Sequence, residues 1–123
     1  MFDPMPPPLL QGRCILVVED DYLLAEDIRG ELEHQGAGVL GPAPRVAAAL
    51  ALLSTGPKPD HAILDINLAG ELVYPVADVL LRRGVPFVFL TGYDRSVLPT
   101  DYSHIVCCEK PFNPRTLLQS LAG

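Results

Sequence analysis

The period of the hydrophobic residues changes repeatedly along this chain. Continuous apolar runs, the first at residues 14–18, alternate with stretches in which apolar residues recur at helical spacing, the first marked by Leu24, Ile28 and Leu32. Short continuous runs are typical of strands buried on both faces of a parallel sheet, and the longer period is typical of helices. The alternation predicts an α/β domain with helices on both sides of a parallel sheet.

The same alternation continues to the end of the chain. Helical apolar periods follow the first, second and third strands, and a short helix is predicted at 96–101. Asn113 is predicted to cap a last helix that has Pro114 at its first position. Because crossovers between parallel strands are right-handed, these helices should cover both faces of the sheet. The predicted strands after the first are residues 39–40, 62–64, 85–90 and 105–108.

The length of the chain, 123 residues, fits one domain, since domains usually contain about 100–150 residues. Residues 1–12 are rich in proline and have no periodicity, which predicts a tail that precedes a domain at 13–123. This length leaves no room for a second folded unit. We therefore expect either a single-domain protein without an attached effector domain or one piece of a longer chain.

Charge and hydropathy exclude several classes of partner. The sequence has 15 acidic and 9 basic residues, whereas nucleic acids and anionic membranes need a concentrated basic face. No apolar run approaches the ~20 residues of a membrane span, and the N-terminus lacks the features of a secretory signal. Cys14, Cys107 and Cys108 have no metal or redox spacing and are expected to be small buried hydrophobes. These features predict a cytoplasmic protein.

Polar residues follow directly after four of the predicted strands, at the edge where open α/β sheets bind their ligands. Taken singly, the acidic run after the first strand could be a solvated helix start, and the lysine could form a surface salt bridge. An acid at position 65, directly after a buried strand, is expected to be half-buried and to need a positive partner. The set consists of Glu19, Asp20, Asp21, Asp65, Thr91 and Lys110.

The combination of these residues predicts phosphoryl chemistry. A cluster of carboxylates with one nearby cation repels itself unless a divalent ion joins it, and oxygen ligands with retained waters suit Mg²⁺. A lysine and a hydroxyl can receive phosphoryl oxygens, and a free carboxylate can attack phosphorus. The residues therefore indicate an aspartyl-phosphate acceptor at this edge of the sheet.

Four segments carry a resemblance to a known family. They are Val17-Val18-Glu19-Asp20-Asp21, Leu64-Asp65-Ile66-Asn67-Leu68, Leu90-Thr91-Gly92 and Glu109-Lys110-Pro111-Phe112. In order and spacing they resemble the receiver domain of bacterial two-component response regulators, the CheY-like family, over residues 13–122. The resemblance implies the flavodoxin-like fold of that family, a three-layer, doubly wound α/β fold with a five-stranded parallel sheet of order 2-1-3-4-5.

The resemblance also implies a role for each matching residue. Asp65 would accept a phosphoryl group from a histidine kinase or a histidine phosphotransfer protein. Thr91 and Lys110 would bind phosphoryl oxygens, and the Lys110-Pro111 bond would be cis. Phosphorylation and dephosphorylation would be reactions of the protein on itself, so it would not be an enzyme for an outside substrate. The cofactor would be Mg²⁺, held by Glu19, Asp20, Asp65 and the backbone carbonyl of Asn67.

One position departs from the best-known members of the family. They have Tyr or Phe on the fifth strand, three residues before the lysine, where this chain has Cys107. The segment 89–93 resembles a subset of mostly stand-alone receivers that have an aromatic residue directly after Thr-Gly. We expect Tyr93, or motion of the segment 93–102, to replace the usual aromatic switch. A loop aromatic that merely covers the core is the alternative interpretation of Tyr93.

Three functional hypotheses follow. The first is a phosphorylatable receiver that signals by contact with an unknown downstream protein or by phosphate transfer. The second is a phosphorylation-independent adapter of receiver fold, motivated by Cys107. The third is a metal-dependent phosphohydrolase, which would turn over small phosphate esters. Contact with the kinase is expected at Tyr22, Pro111 and Phe112.

Overall fold

A computed structural model describes residues 10–92 and 98–110, together with 113, 115, 117, 118 and 121. Short strands alternate with helices through this part of the chain. The strands are β1 (Cys14–Val18), β2 (Gly38–Ala43), β3 (His61–Asp65), β4 (Asn67–Leu68), β5 (Glu71–Leu72), β6 (Phe87–Thr91) and β7 (Cys107–Glu109). The helices are α1 (Tyr22–His34), α2 (Val46–Thr55) and α3 (Tyr74–Arg82), and a 3₁₀ turn spans Thr100–Tyr102.

The main sheet contains five parallel strands in the order β2-β1-β3-β6-β7. Counted along the chain within this sheet alone, the order is 2-1-3-4-5, which confirms the predicted flavodoxin-like fold. Val18 at the end of β1 pairs with Leu64, and Asp65 at the end of β3 pairs with Leu90. This register brings the carboxyl ends of the central strands to one edge of the sheet.

Apolar side chains cover both faces of the sheet, which explains the continuous apolar runs in the sequence. In β1, Leu16 and Val18 belong to a core that also contains residues of α2 and α3. Ile15 and Val17 belong to a second core, which contains residues of α1 and of the last helical segment. All four side chains are fully buried. A strand covered on both faces needs an apolar residue at every position.

The boundaries of the later elements differ from those predicted. The fourth strand of the main sheet begins at Phe87 and extends to Thr91, and the fifth is Cys107–Glu109 rather than residues 105–108. The short helix predicted at 96–101 is, within the described residues, the 3₁₀ turn Thr100–Tyr102. The predicted cap of the last helix is confirmed, because Asn113 Oδ1 accepts a hydrogen bond of 2.8 Å from the N–H of Arg115.

A two-stranded hairpin directly after β3 was not predicted. Strands β4 and β5 pair antiparallel and are joined by Ala69 and Gly70. Both turn residues have left-handed backbones, with φ of 56° at Ala69 and 97° at Gly70, as a tight two-residue hairpin turn requires. Strands of two residues have no readable period in a sequence, and alanine at a left-handed position gives no turn signal.

The end of the predicted N-terminal tail contacts the domain. Leu10 is buried in the core next to α1, and its N–H donates to the carbonyl of Gln35 at 3.0 Å. The N–H of Gly12 donates to the carbonyl of Gly36. Residues 1–9 lie outside the described residues, so the packed chain includes at least the part of the predicted tail from Leu10 onward.

The cysteines are less buried than predicted. All three side chains have intermediate exposure. Cys107 packs against the core on the α2 and α3 side, and Cys108 against the core on the α1 side. Burial raises the pKa of both the Cys14 and the Cys108 thiols, with Asp60 adding to the effect at Cys14.

Among the described residues, no helix has the length and apolar content needed to cross a membrane.

Candidate functional site

The ends of four strands form an open cleft of about 540 Å³ at the carboxyl edge of the sheet. Glu19 directly follows β1, Asp65 ends β3, Thr91 ends β6 and Lys110 directly follows β7. The parallel register of these strands brings together side chains that are far apart in sequence. The cleft is lined by Asp20, Asp21, Asp65, Asn67, Ala69, Gly70, Thr91, Gly92 and Lys110.

Lys110 joins two buried carboxylates. Its Nζ lies 3.0 Å from Glu19 Oε1 and 3.0 Å from Asp65 Oδ2. Glu19 is 2% exposed and Asp65 is 5% exposed, so both carboxylates need a partner to offset the loss of hydration. The Lys110 N–H donates to the backbone carbonyl of Thr91 at 2.8 Å, which fixes the start of this segment on β6. The structure thus supplies the positive partner that the sequence predicted for Asp65.

Two carboxylates beside one lysine leave an excess of negative charge. Burial, and then the hydrogen bond with Asp65, raise the pKa of Glu19 to about 7. Burial disfavours the charged form of Lys110, but its hydrogen bonds to Glu19 and Asp65 outweigh burial and raise the pKa of the ammonium group. Lys110 therefore stays charged, and the cluster favours a proton or a further cation beside Glu19.

The donor set fits a divalent cation. One carboxylate oxygen from each of Glu19, Asp20 and Asp65 lies within 4.8 Å of the other two. Asp20 is exposed in the cleft, whereas the other two acids are buried. Carboxylate oxygens beside an open, hydrated cleft are the ligands that Mg²⁺ prefers. A divalent cation here would also stabilise the ionised form of Glu19, whose pKa is raised by burial and by the hydrogen bond with Asp65.

Asp21 has a structural role. Its Oδ1 accepts hydrogen bonds from the N–H groups of Leu23 and Leu24, at 3.0 and 3.2 Å, and so caps α1. Its own N–H donates to Glu19 Oε2 at 3.1 Å. The interpretation of the acidic run as a helix start therefore applies to Asp21, while Glu19 and Asp20 face the cluster.

The segment after Asp65 is organised by side-chain hydrogen bonds. The N–H of Asn67 donates to Asp65 Oδ1 at 3.2 Å, and Asn67 Oδ1 accepts from the N–H of Gly70 at 2.6 Å. The Asn67 side chain thus holds the hairpin turn, which leaves its backbone carbonyl as the group implied for metal binding. Thr91 lines the same cleft and is 3% exposed.

The contact of Glu71 with α2 was missed at the sequence level. Glu71 lies in β5, and its Oε1 accepts a hydrogen bond of 3.0 Å from the N–H of Val46, the first residue of α2. The two residues are 25 positions apart, so no local capping pattern connects them. The only available signal was that Arg45, which precedes α2, is a poor helix cap.

Aromatic rings fill the sheet face that carries Cys107. Cys107 pairs with Phe89 in the parallel ladder between β7 and β6. Tyr102 stacks on Tyr74 with ring centroids 4.9 Å apart, and Phe89 meets both rings edge-on. The Tyr102 hydroxyl donates a hydrogen bond to Asp78 in α3. Burial, and then this hydrogen bond, raise the pKa of Tyr102.

Three predicted positions cannot be compared with the structure. Tyr93, Pro111 and Phe112 lie outside the described residues, as does the Lys110-Pro111 bond. Tyr22 is described, and its side chain is 73% exposed at the start of α1. Tyr22 and Asp20 line a second groove of about 180 Å³ next to the cleft. The proposed contact surface for a kinase is therefore accessible at Tyr22.

We predict that Tyr102→Phe lowers the free energy of unfolding by about 1 kcal/mol, because it removes a hydrogen bond to a charged acceptor that water can partly replace. Urea unfolding of both proteins would measure the loss. Tyr22→Phe is the matched control, since the Tyr22 ring is exposed and its hydroxyl should contribute little. Equal stability of Tyr102→Phe and the wild type would show that the bond to Asp78 has no net value.

Glu19 should make stability fall with rising pH when divalent cations are absent. Its pKa is raised from 4.5 to about 7 in the folded protein, so between these values the native state holds a proton that the unfolded state has lost. The free energy of unfolding should therefore decrease across this interval, by about 3 kcal/mol. Urea unfolding in EDTA at several pH values would measure the slope. Glu19→Gln should flatten it, Glu33→Gln should not, and a flat wild-type profile would contradict the prediction.

No protein-family model matches the chain, but it is similar to curated proteins and to solved structures. Phyllosphere-induced regulator PhyR of Methylorubrum extorquens is 31% identical over 103 residues, which covers 81% of this chain and 39% of that protein. SdrG of Sphingomonas melonis is 36% identical with a TM-score of 0.77, and the match covers 93% of this chain and 95% of SdrG. A CheY-like response regulator receiver domain protein of Methanospirillum hungatei is 27% identical with a TM-score of 0.76, over 89% and 90% of the two chains.

The match with SdrG extends over nearly all of both chains. The curated relatives are longer, and this chain spans between 39% and 49% of their length. Fold, strand order and relatives agree with the resemblance carried by the four strand-end motifs. The chain belongs to the receiver-domain family of response regulators, the CheY-like domains.

Proposed function

We propose that this receiver domain accepts a phosphoryl group on Asp65 with the help of Mg²⁺. The observation that carries the proposal is the bridge of Lys110 between Glu19 and Asp65, beside the exposed Asp20 in an open cleft. Lys110 neutralises only part of the carboxylate charge. The site is therefore suited to take up a divalent cation and an anionic phosphoryl group together.

In the proposed reaction, an Asp65 carboxylate oxygen attacks phosphorus in line with the leaving group. A new O–P bond forms as the P–N bond of a phosphohistidine breaks, and the histidine of the donor leaves with the bonding electron pair and takes up a proton. Mg²⁺, held by Glu19, Asp20, Asp65 and the Asn67 carbonyl, would neutralise charge on the phosphoryl oxygens. Lys110 and Thr91 would contact two of those oxygens, so that positioning and charge neutralisation provide the rate enhancement.

Water would later hydrolyse the acyl phosphate, which releases inorganic phosphate and restores the carboxylate. The protein would thus phosphorylate and dephosphorylate itself without turnover of an outside substrate. The donor would be a histidine kinase or a histidine phosphotransfer protein in the cytoplasm. The output would be contact with a downstream protein or transfer of the phosphoryl group. Neither nucleic acid nor a membrane is a proposed partner, since the acidic chain offers no concentrated basic face.

A second candidate function is that of a phosphorylation-independent adapter. It is favoured by Cys107 and by the rings of Tyr74 and Tyr102, which occupy the face where the family's best-known switch acts. If the adapter hypothesis is right, partner binding will be the same for the phosphorylated and the unphosphorylated protein. A pull-down that compares the two forms distinguishes the candidates.

Acetyl phosphate and Mg²⁺ test the leading proposal without a cognate kinase. Intact-protein mass spectrometry should show the addition of one phosphate, and EDTA should prevent it. Peptide mapping after borohydride reduction of the acyl phosphate should place the modification at Asp65. An unchanged mass with several phosphodonors would reject the proposal, and modification of another residue would reject the assignment of Asp65.

A further inference from the structure

The hairpin of β4 and β5 connects the cleft with the beginning of α2. On the cleft side, Asn67, Ala69 and Gly70 line the cavity next to Asp65. On the other side, Glu71 Oε1 accepts the hydrogen bond of 3.0 Å from Val46 N–H. A single short hairpin therefore contacts both the candidate metal site and a helix terminus.

The beginning of α2 has no cap from its own sequence. Arg45 occupies the cap position and makes no side-chain hydrogen bond there, and the first turn of α2 contains no acidic residue. The first N–H groups of a helix lack partners within the helix and carry partial positive charge. Glu71 supplies both an acceptor and a negative charge at this position. The hydrogen bond from Val46 to Glu71 therefore stabilises the beginning of α2 and attaches the hairpin to it.

The hairpin conformation depends on the contacts around it. Ala69 has a φ of 56°, a left-handed backbone that costs a residue with a β-carbon roughly 1 kcal/mol. Such a conformation persists where surrounding contacts enforce it. Leu68 lies directly across from Glu71 and is buried in the core. The bond from Glu71 to Val46 thus restrains the strand that pairs with the segment 67–68.

We propose that Glu71 is a positioning residue for the metal site, whose bond to α2 holds the hairpin in the conformation that presents the Asn67 carbonyl as a ligand. This inference rests on the proposed function, in which that carbonyl binds Mg²⁺. Coupling between two sites is reciprocal. Mg²⁺ binding therefore stabilises the contact between Glu71 and Val46, and the beginning of α2 responds to the metal.

A set of variants separates positioning from helix capping and from charge. Glu71→Ala removes the acceptor, and Glu71→Gln keeps an acceptor but loses the charge. Arg45→Ser gives α2 a cap of its own, so the double variant Glu71→Ala/Arg45→Ser restores the cap without restoring the tether. Glu33→Ala is the charge control, since Glu33 lies near the end of α1 and pairs with Arg29.

Two measurements on the full chain test the proposal. An NMR titration with Mg²⁺ gives the affinity of each variant, and hydrogen exchange gives the protection of the Val46 amide with and without Mg²⁺. We expect Glu71→Ala to bind Mg²⁺ about fivefold more weakly than the wild type. The double variant should likewise bind Mg²⁺ about fivefold more weakly than Arg45→Ser alone. Glu71→Gln and Glu33→Ala should stay within about twofold of the wild type, and Mg²⁺ should protect the Val46 amide only where residue 71 has an acceptor.

Three results would overturn the proposal. They are an unchanged affinity in Glu71→Ala, an affinity that returns with the new cap in the double variant, and a loss in Glu71→Gln as large as in Glu71→Ala. The second result would show that Glu71 acts only as a helix cap. The third would show that Glu71 acts only through its negative charge. Wild-type protein that binds no Mg²⁺ would instead reject the proposed metal site itself, and the inference with it.

Discussion

Asp65→Asn is expected to abolish phosphate incorporation from acetyl phosphate while the fold remains intact. An amide is a poor nucleophile toward phosphorus. Among the described residues, Glu19 is the other buried carboxylate that contacts Lys110. Glu19 is held against Lys110 and the N–H of Asp21. Mass spectrometry after incubation with Mg²⁺ and acetyl phosphate measures the effect. Asp27→Asn, which changes an exposed aspartate of α1, is the matched control and should incorporate phosphate like the wild type.

The same substitution should make the protein more stable near neutral pH when Mg²⁺ is absent. Glu19 would then face one lysine and no second carboxylate, and the cause of its raised pKa that involves Asp65 would disappear. We expect a gain in the free energy of unfolding of about 1 kcal/mol at pH 7 in EDTA. Full phosphate incorporation by Asp65→Asn would reject the assignment of the acceptor. A loss of stability would show that the two carboxylates do not oppose each other.

The grouping of the site residues could be predicted because parallel strands end at one edge of the sheet. Each of Glu19, Asp65 and Lys110 lies at or directly after a strand that a continuous apolar run identifies, so the topology alone brings them together. Burial on both faces forces that apolar run, which makes such strands the most readable elements of the fold. The contact of Lys110 with both carboxylates follows from this arrangement, whereas the individual distances do not.

Elements that are too short to show a hydrophobic period could not be predicted from the sequence. The hairpin β4–β5 has strands of two residues and turns at Ala69, where sequence rules expect glycine or asparagine. The start of β7 was placed too early because Ile105 and Val106 are apolar. In the structure Ile105 is buried outside the sheet, and Val106 is 52% exposed. An apolar residue in a loop that packs against the core cannot be distinguished by its type from an apolar residue that pairs in a sheet.

Long-range polar contacts were also beyond sequence reasoning. Glu71 caps a helix that begins 25 residues earlier, and Tyr102 bonds to Asp78 from a different element. Charged residues on exposed strands and helices have many possible partners, and only the packing of α2 and α3 against the sheet selects among them. These contacts determine how the site is connected to its surroundings, whereas the strand ends determine its chemistry.

Lys110→Ala is expected to slow phosphorylation far more than it destabilises the fold. Lys110 is the cation that contacts both buried carboxylates of the site, and it would pair with a phosphoryl oxygen in the transition state. Loss of one group that stabilises transition-state charge typically lowers a rate by about 10²–10³-fold. The rate of mass increase with acetyl phosphate and saturating Mg²⁺ measures this loss. Lys58→Ala removes the other lysine of the chain, which is exposed, and should leave the rate unchanged.

The stability of Lys110→Ala should depend on the metal. Without Mg²⁺, Glu19 and Asp65 lose their shared partner, so the pKa of Glu19 should rise further and the protein should be less stable above neutral pH. With saturating Mg²⁺, the divalent charge replaces that of the lysine, and the loss should shrink to within about 1 kcal/mol. The transfer rate should remain low in both conditions, because a cation bound by the carboxylates does not occupy the position of Lys110 Nζ. A stability loss that Mg²⁺ fails to reduce would show that the metal does not replace the charge of the lysine. A rate that Mg²⁺ restores would show that Lys110 and the metal have the same role in phosphoryl transfer.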